Sequence, residues 1–294
     1  MAAGGADGRQ VAGLARSTYH SAMHNREPLV KLRYLLPGDE RPFYHASRGG
    51  ADAALRIGAS FEDREVRIHN ARDAAPPFSL DEQGFTLVGH ETAVGDFYRL
   101  EDSRSAYEAE LVDLVCAATG ADAAEVFDHT LRSESPAVRG QHTTREPASV
   151  IHNDYTDASA RKRLAQILPP EAAARRLERR FAIVNAWRSI AGPVWNSPMT
   201  CCDAATLAAG DLVAAERRAE ERTGELELVT WNPEHRWWYY PEMTTAEVLL
   251  LKTFDSSLDG RARRTAHSAF NNPLAPADAP PRESIESRLL VFFD

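Results

Sequence analysis

The residues of this chain best suited to chemistry lie in Val150-Ile151-His152-Asn153-Asp154-Tyr155-Thr156, where an imidazole and a carboxylate stand two positions apart. In an extended strand, side chains at i and i+2 project from the same face, so both groups can reach one divalent cation without bending the backbone. A third ligand would complete a facial set of two histidines and one carboxylate. That set leaves coordination positions open and is diagnostic of non-heme Fe(II) oxygen chemistry. The His-x-Asp pair alone is too short to be specific.

Ten histidines compete to be the third ligand. In a double-stranded β-helix the distal ligand comes late, after a strongly apolar strand that returns the chain to the mouth of the pocket. His267 fits, because it follows Val248-Leu-Leu-Leu-Lys-Thr-Phe-Asp and sits in Arg263-Arg-Thr-Ala-His-Ser-Ala-Phe. His235, in Pro-Glu-His-Arg-Trp-Trp, is the rival, although its aromatic neighbours favour packing. Arg288 opens the final apolar strand, where a guanidinium can pair bidentately with the carboxylate of a 2-oxo acid. Arg282, Arg264 and Lys252 are alternatives for that task.

The elements that must position these groups read mainly as strands. Residues 29–36 and 65–69 alternate as early strands, and Phe78 to Val88, with a turn over 81–84, predicts a hairpin. Residues 103–120 change to helical period, with Ser103 as N-cap, Tyr107, Leu111, Leu114, Val115 and Ala118 on one face, and Gly120 as the stop. Strand chemistry resumes at 125–132, and a polar loop over 133–147 leads into the His-x-Asp strand. Residues 157–180 predict a helix divided by Pro169-Pro170. Their excess of basic side chains reads as a solvated face rather than an anion-attracting rim above the site. Phe181 to Ile190 predicts a buried strand whose Asn185, Trp187 and Arg188 need partners or a cavity. Four more strands are predicted within 225–232, 236–241, 247–254 and 287–293, whereas 211–223 carries strong local helix propensity. In Trp237-Trp-Tyr-Tyr, alternation sends half the rings to the core. The fold class is mainly β with helical decoration. Residues 1–28 are expected to be a flexible N-terminus, and 29–294 one domain with helical insertions near 103–120 and 157–180.

With 294 residues, 43% of them hydrophobic, the chain can bury a sizeable core. A net charge of −9 argues against nucleic acid or an anionic membrane surface as partner. Cys116, Cys201 and Cys202 form neither a zinc pattern nor a disulfide framework. No stretch approaches the roughly 18 apolar residues of a membrane span. The expected setting is cytoplasmic, with a small-molecule substrate and room for a homodimer.

Seven ordered motifs tie these readings together: Phe127-Asp-His-Thr-Leu-Arg, His152-Asn-Asp-Tyr-Thr, Asn185-Ala-Trp-Arg, His235-Arg-Trp-Trp-Tyr-Tyr-Pro-Glu-Met, Leu250-Leu-Lys-Thr-Phe-Asp-Ser, Ala266-His-Ser-Ala-Phe and Pro281-Arg-Glu-Ser-Ile-Glu-Ser-Arg. Together, from about residue 29 to the C-terminus, they resemble the CmcJ/NvfI family, whose members include a cephamycin methoxylation protein, a gibberellin desaturase and a meroterpenoid endoperoxidase. The resemblance implies an Fe(II)- and 2-oxoglutarate-dependent oxygenase on a double-stranded β-helix (jelly-roll) core, with O2 as second cosubstrate. It places the iron ligands on His152, Asp154 and His267 and the 2-oxoglutarate carboxylate on Arg288, with Arg188 as a further cofactor-binding candidate. Tyr155, Asn185 and Trp187 become candidates for contacting substrate. It also favours strand, turn, strand over 211–230. One departure is Cys201-Cys202-Asp203, where the family pattern is Ala-x-Cys-Asp. The implied reaction oxidises a C–H bond of a natural-product intermediate by hydroxylation, desaturation or a related rearrangement. An accessory binding protein and a redox-neutral cupin are the alternatives. A methyltransferase is disfavoured, since the chain lacks a glycine-rich strand-to-helix loop.

Overall fold

A computed structural model describes residues 27–38, 40–45, 49–51, 56–218 and 223–294. Apart from Glu27 and Pro28, the expected flexible N-terminus lies outside the described residues. The first strands are β1 (Leu29–Leu35), β2 (Phe43–His45), β3 (Arg56–Gly58), β4 (Phe61–Asn70) and β5 (Phe85–Gly89). Helix α1 (Arg104–Thr119), β6 (Ala123–Ser133), α2 (Pro136–His142), β7 (His152–Asn153), α3 (Asp157–Ile167) and α4 (Pro170–Leu177) follow. The rest is β8 (Phe181–Ser189), β9 (Met199–Cys202), β10 (Leu212–Arg218), β11 (Thr223–Val229), β12 (Trp237–Tyr239), β13 (Glu247–Asp255), β14 (His267–Ala269) and β15 (Glu283–Phe292).

Two curled sheets form the barrel. One runs β1-β4-β12-β9-β14-β7-β11-β10-β2-β3, and the other β5-β13-β8-β15-β6. The expected double-stranded β-helix is thus the observed architecture. The first sheet carries the His-x-Asp strand β7 directly beside β14, with His267 in register with His152. The second sheet faces them, and its central strand β8 is buried along its whole length.

Alternation sorts the second sheet into three destinations. Ala182, Val184, Ala186, Val248, Leu250, Ile285 and Val291 pack against Tyr107, Leu111 and Val115 of α1. Phe181, Ile183, Phe254, Leu290 and Phe292 pack under α3 and α4 through Ala160, Leu164 and Ala173. Asn185 on β8 and Glu286 and Arg288 on β15 point into the barrel, where they hydrogen-bond to one another.

Several local expectations change. The segment 78–88 is not a hairpin: the turn forms, but only Phe85–Gly89 is a strand, and it pairs with β13. Phe78 instead places its ring edge-on to Phe85 and Trp238. The loop 133–147 contains the short helix α2, capped by the Ser135 hydroxyl. In 211–230, β10 and β11 pair antiparallel despite the local helix propensity, because Ala215, Leu226 and Leu228 gain a core with Leu35 and Val150. The turn between them lies outside the described residues. Helix α1 ends as expected at Gly120, which adopts φ 68°. No helix among the described residues is long and apolar enough to cross a membrane.

Gly84 ties the fold to the site. It has φ +86°, its carbonyl accepts from Thr265 Oγ1 at 2.7 Å, and an added Cβ would lie 2.4 Å from that same oxygen. Thr265 in turn offers its carbonyl to His267. Gly84→Ala is expected to cost roughly 1–3 kcal/mol and to displace the segment before His267. Denaturant unfolding together with bound-iron content checks this; unchanged stability and iron would contradict it.

Candidate metal centre

His152 and His267 face each other across neighbouring strands with ring centroids 4.5 Å apart. Each ring is oriented by a backbone carbonyl two residues earlier: Nδ1 of His152 donates to Val150 O at 2.8 Å and Nδ1 of His267 to Thr265 O at 2.9 Å. A carbonyl only accepts, so Nδ1 carries the proton and Nε2 keeps its lone pair for a metal. Burial, reinforced by the neighbouring His267, pushes His152 down to about 4, which keeps it neutral near physiological pH.

Asp154 is held from the opposite sheet. Its Oδ2 accepts from Asn185 Nδ2 at 2.8 Å and from Arg288 Nε at 2.9 Å, while Oδ1 lies 3.5 Å from His152 Nε2. Burial alone would raise this carboxyl; Arg288, then the two imidazoles, reverse that and hold it well below the usual carboxylate range. One ligand atom from each of His152, Asp154 and His267 lies within 4.8 Å of the other two. Two imidazoles and a carboxylate, each with one atom held by a partner and another left facing the gap, fit a divalent transition metal.

Behind this set, a network links the two ligand-bearing segments. Asn153, between the ligands on β7, donates to Glu227 Oε2 at 2.8 Å, and Arg264, three residues before His267, pairs with the same oxygen at 3.0 Å. Arg264 and Arg263 both reach Asp157, which opens α3 beside its N-cap Thr156. Burial raises Glu227, an effect that Arg264 opposes.

The other expected residues separate. Asn185 supports Asp154 rather than lining the cavity. Tyr155 does line the wide cavity. Trp187 lies beneath Arg282, whose guanidinium carbon is 5.5 Å from its ring centroid. Arg188 projects from the opposite face of β8 and donates to His90 O at 2.6 Å, toward α1. Because adjacent strand residues point to opposite faces, Arg188 cannot share the barrel interior with Trp187. His235 stays in a packing cluster, stacked on Tyr34 and 3.1 Å from Asp211.

Among the four basic candidates for the cosubstrate, three have their charge matched within the chain. Arg288 donates to Asp154, Asp128, Thr130 and Glu286. Arg264 pairs with Asp157 and Glu227, and Lys252 with Asp81 and Asp255. Arg282 differs in forming no ion pair among the described residues: its Nη1 donates to Ser197 O at 2.5 Å, and its buried Nε, like that of Arg264, has no hydrogen-bond partner. Burial, then Arg132, lowers it to about 10.

Two cavities meet at His152. The narrow one, a constricted space bounded by His152, His267, Met199, Arg132, Arg282 and Glu286, has about 260 Å³ of empty space, partly open to solvent. The wide one has about 1080 Å³ of empty space, partly open to solvent, and reaches Asp154, Tyr155 and Arg288. Ser159, Lys162, Arg163 and Gln166 of α3 line the wide cavity at helical spacing. The basic helix is therefore more than a solvated face, as the sequence had suggested; one of its stripes walls the site.

The comparisons agree with this geometry. A family model described as an oxidoreductase/YMDC permease-like domain matches residues 32–292. The chain is 35% identical over 269 residues to the hydroxylase/desaturase efuI of Hormonema carpetanum, covering 84% of this chain and 89% of that protein. It is 34% identical over 239 residues to the Fe(II)/2-oxoglutarate-dependent dioxygenase nvfI of Aspergillus novofumigatus, covering 78% and 83%. The chain belongs to this family of iron- and 2-oxoglutarate-dependent oxygenases. A solved structure of the iron- and alpha-ketoglutarate-dependent endoperoxidase NvfI superposes with a TM-score of 0.78 at 27% identity, over 90% of this chain and 98% of that one.

Residues that the sequence reading passed over include Glu286, Asp128, Asn153 and Glu227. Three of them stood within the quoted motifs, and alternation from Arg288 would have placed Glu286 on the same face. His267→Ala should abolish stoichiometric iron binding while His235→Ala retains it, measured by metal analysis after anaerobic reconstitution; the reverse would exchange the two. Glu227→Ala should weaken Fe(II) binding roughly 10–100-fold, with Glu227→Gln closer to wild type; equal affinities in all three would show that the network does not position the ligands.

Proposed function

We propose that this chain oxidises a C–H bond of a small natural-product intermediate, using Fe(II) held by His152, Asp154 and His267 and 2-oxoglutarate as cosubstrate. The observation that carries the reading is the triad itself: three convergent donor atoms, each oriented by a partner on its far side. Residues 29–294 act as one domain in this reading, because β7 and β14 supply the ligands while β8 and β15 support one of them. Iron in this setting supplies O2 activation coupled to oxidative decarboxylation of 2-oxoglutarate to succinate and CO2, with removal of hydrogen from the substrate.

The chain's own residues bind, orient and shield. Arg282 borders the narrow cavity beside His152 and His267, and its unpartnered Nε is the donor we assign to the distal carboxylate of 2-oxoglutarate, in place of Arg288. Arg288 is then a positioning residue for Asp154, and Asn185 shares that role. Substrate occupies the wide cavity against Val150, Tyr155, Leu226 and Leu228, with α3 restricting access of water. The relatives named hydroxylase/desaturase, dioxygenase and endoperoxidase span several oxidative outcomes. The outcome here depends on how this wide cavity presents the substrate.

Anaerobic addition of 2-oxoglutarate to the Fe(II)-loaded protein should produce a visible metal-to-ligand charge-transfer band, and its absence at saturating cosubstrate would contradict the reading. Arg282→Ala should retain iron and weaken 2-oxoglutarate by about tenfold or more, as expected for loss of a charge-assisted pair. Arg288→Ala should instead lose iron first. Retained iron with weakened cosubstrate in Arg288→Ala would return the anchor to Arg288.

A further inference from the structure

The wall of the wide cavity carries a cluster of guanidinium groups, of which Arg145 is left unexplained by the iron and cosubstrate chemistry. Arg132 and Arg145 are joined by a β-bridge, and backbone bonds on both sides of Arg145, from its N–H to Leu131 O and from Ser133 N–H to its carbonyl, pin it to the edge of β6. Across the cavity, Arg217 sits in register with Tyr44. All four residues line the same space. This concentration of positive charge occurs in a chain whose net charge is −9.

None of the carboxylates bordering the cavity forms an ion pair with Arg145 among the described residues. Asp128 and Asp154 are bound to Arg288, and Glu225 to Arg41 and Thr156. Glu146, next to Arg145, also lines the cavity, but it forms no ion pair among the described residues. Arg132 donates Nη1 to the Glu146 carbonyl at 2.8 Å. Among the described residues, Arg145 makes neither a side-chain hydrogen bond nor an ion pair, although it is half-buried. Burial lowers it, and the nearest charges, Arg132 and Arg217, lower it further. A half-buried guanidinium surrounded by its own kind is costly unless a ligand of opposite charge completes it.

We propose that Arg145, flanked by Arg132 and Arg217, binds a carboxylate carried by the substrate, so that the enzyme acts on an organic acid anchored at this wall with its apolar body extending toward the triad. The inference rests on the oxygenase reading above. A planar guanidinium with a backbone fixed at the strand edge is preorganised for a planar carboxylate. Val150, Leu226 and Leu228 supply an apolar surface in the same cavity as Arg145 and His152.

The test has two arms on the Fe(II)-loaded full chain under anaerobic conditions. In the first, 2-oxoglutarate is added to wild type and Arg145→Ala, and both should develop the charge-transfer band with similar cosubstrate affinity. In the second, pyrenebutyric acid and naphthylacetic acid are titrated beside their methyl esters. At least one acid should bind wild type about tenfold or more tightly than its ester, lose that preference in Arg145→Ala, and regain part of it in Arg145→Lys. Equal binding of acid and ester, binding of neither acid, or a preference that survives Arg145→Ala would overturn the proposal. A band weakened specifically in Arg145→Ala would give this residue to the cosubstrate and overturn it as well. Absence of the band in wild type with the acid preference intact would remove the oxygenase reading and leave the carboxylate site standing.

Discussion

The carboxylate of Asp154 joins the two sheets, and the rest of the site is arranged around it. It leaves β7 on one sheet and is grasped from the other by Arg288 and Asn185, two residues in register on β15 and β8. Arg288 also holds Glu286 and Asp128, so one guanidinium is shared among three carboxylates. Buried charge of that kind is stable only when its surroundings match it. The negative charge gathered beside two imidazoles is what a divalent cation would complete. Taking away Arg288 would therefore do more than remove a contact, because it would leave Asp154 and Glu286 buried with no cation between them.

That arrangement explains why the barrel needs its irregular parts. Strand β7 is only two residues long, since the chain must leave the sheet at Asp154 to reach Arg288, and the Thr156 cap then starts α3 at once. The helix returns over the opening and places one stripe of side chains along the wide cavity. Strand β14 has only three residues, yet His267 is fixed by Thr265, whose hydroxyl is tied to Gly84 and Lys252. The ligands thus sit on short strands whose rigidity is borrowed from hydrogen bonds to distant segments, and the two cavities open on either side of them.

Much of this was legible in the sequence. The choice of His267 over His235 came from the ligand order of a double-stranded β-helix and from the family resemblance, while the spacing of His152 and Asp154 and the apolar run of β13 follow directly from strand periodicity. Helix α1 was legible for the same reason, with its spaced apolar face and terminal glycine. The strands within 211–230 were legible only through the family resemblance, because Glu216, Arg217 and Arg218 favour a helix locally and only the packing of Ala215 and Leu226 outweighs them. The role of Arg288 was hidden as well: its sequence shows a basic residue on a terminal strand, while its partners Asp128, Asp154 and Glu286 come from three separate segments. Arg188 misled for the opposite reason, since its neighbours Asn185 and Trp187 drew attention to a face of β8 that it does not share. Arg145 carried no signal at all, lying in a polar stretch without periodicity.

The central claim is that the three side chains brought together from β7, the turn after it and β14 form an iron site. Anomalous diffraction at the iron edge, from crystals grown anaerobically with Fe(II), tests it most directly. The account predicts one strong peak between His152 Nε2, His267 Nε2 and Asp154 Oδ1. A peak at another cluster, or none at that position in crystals with stoichiometric iron, would contradict it.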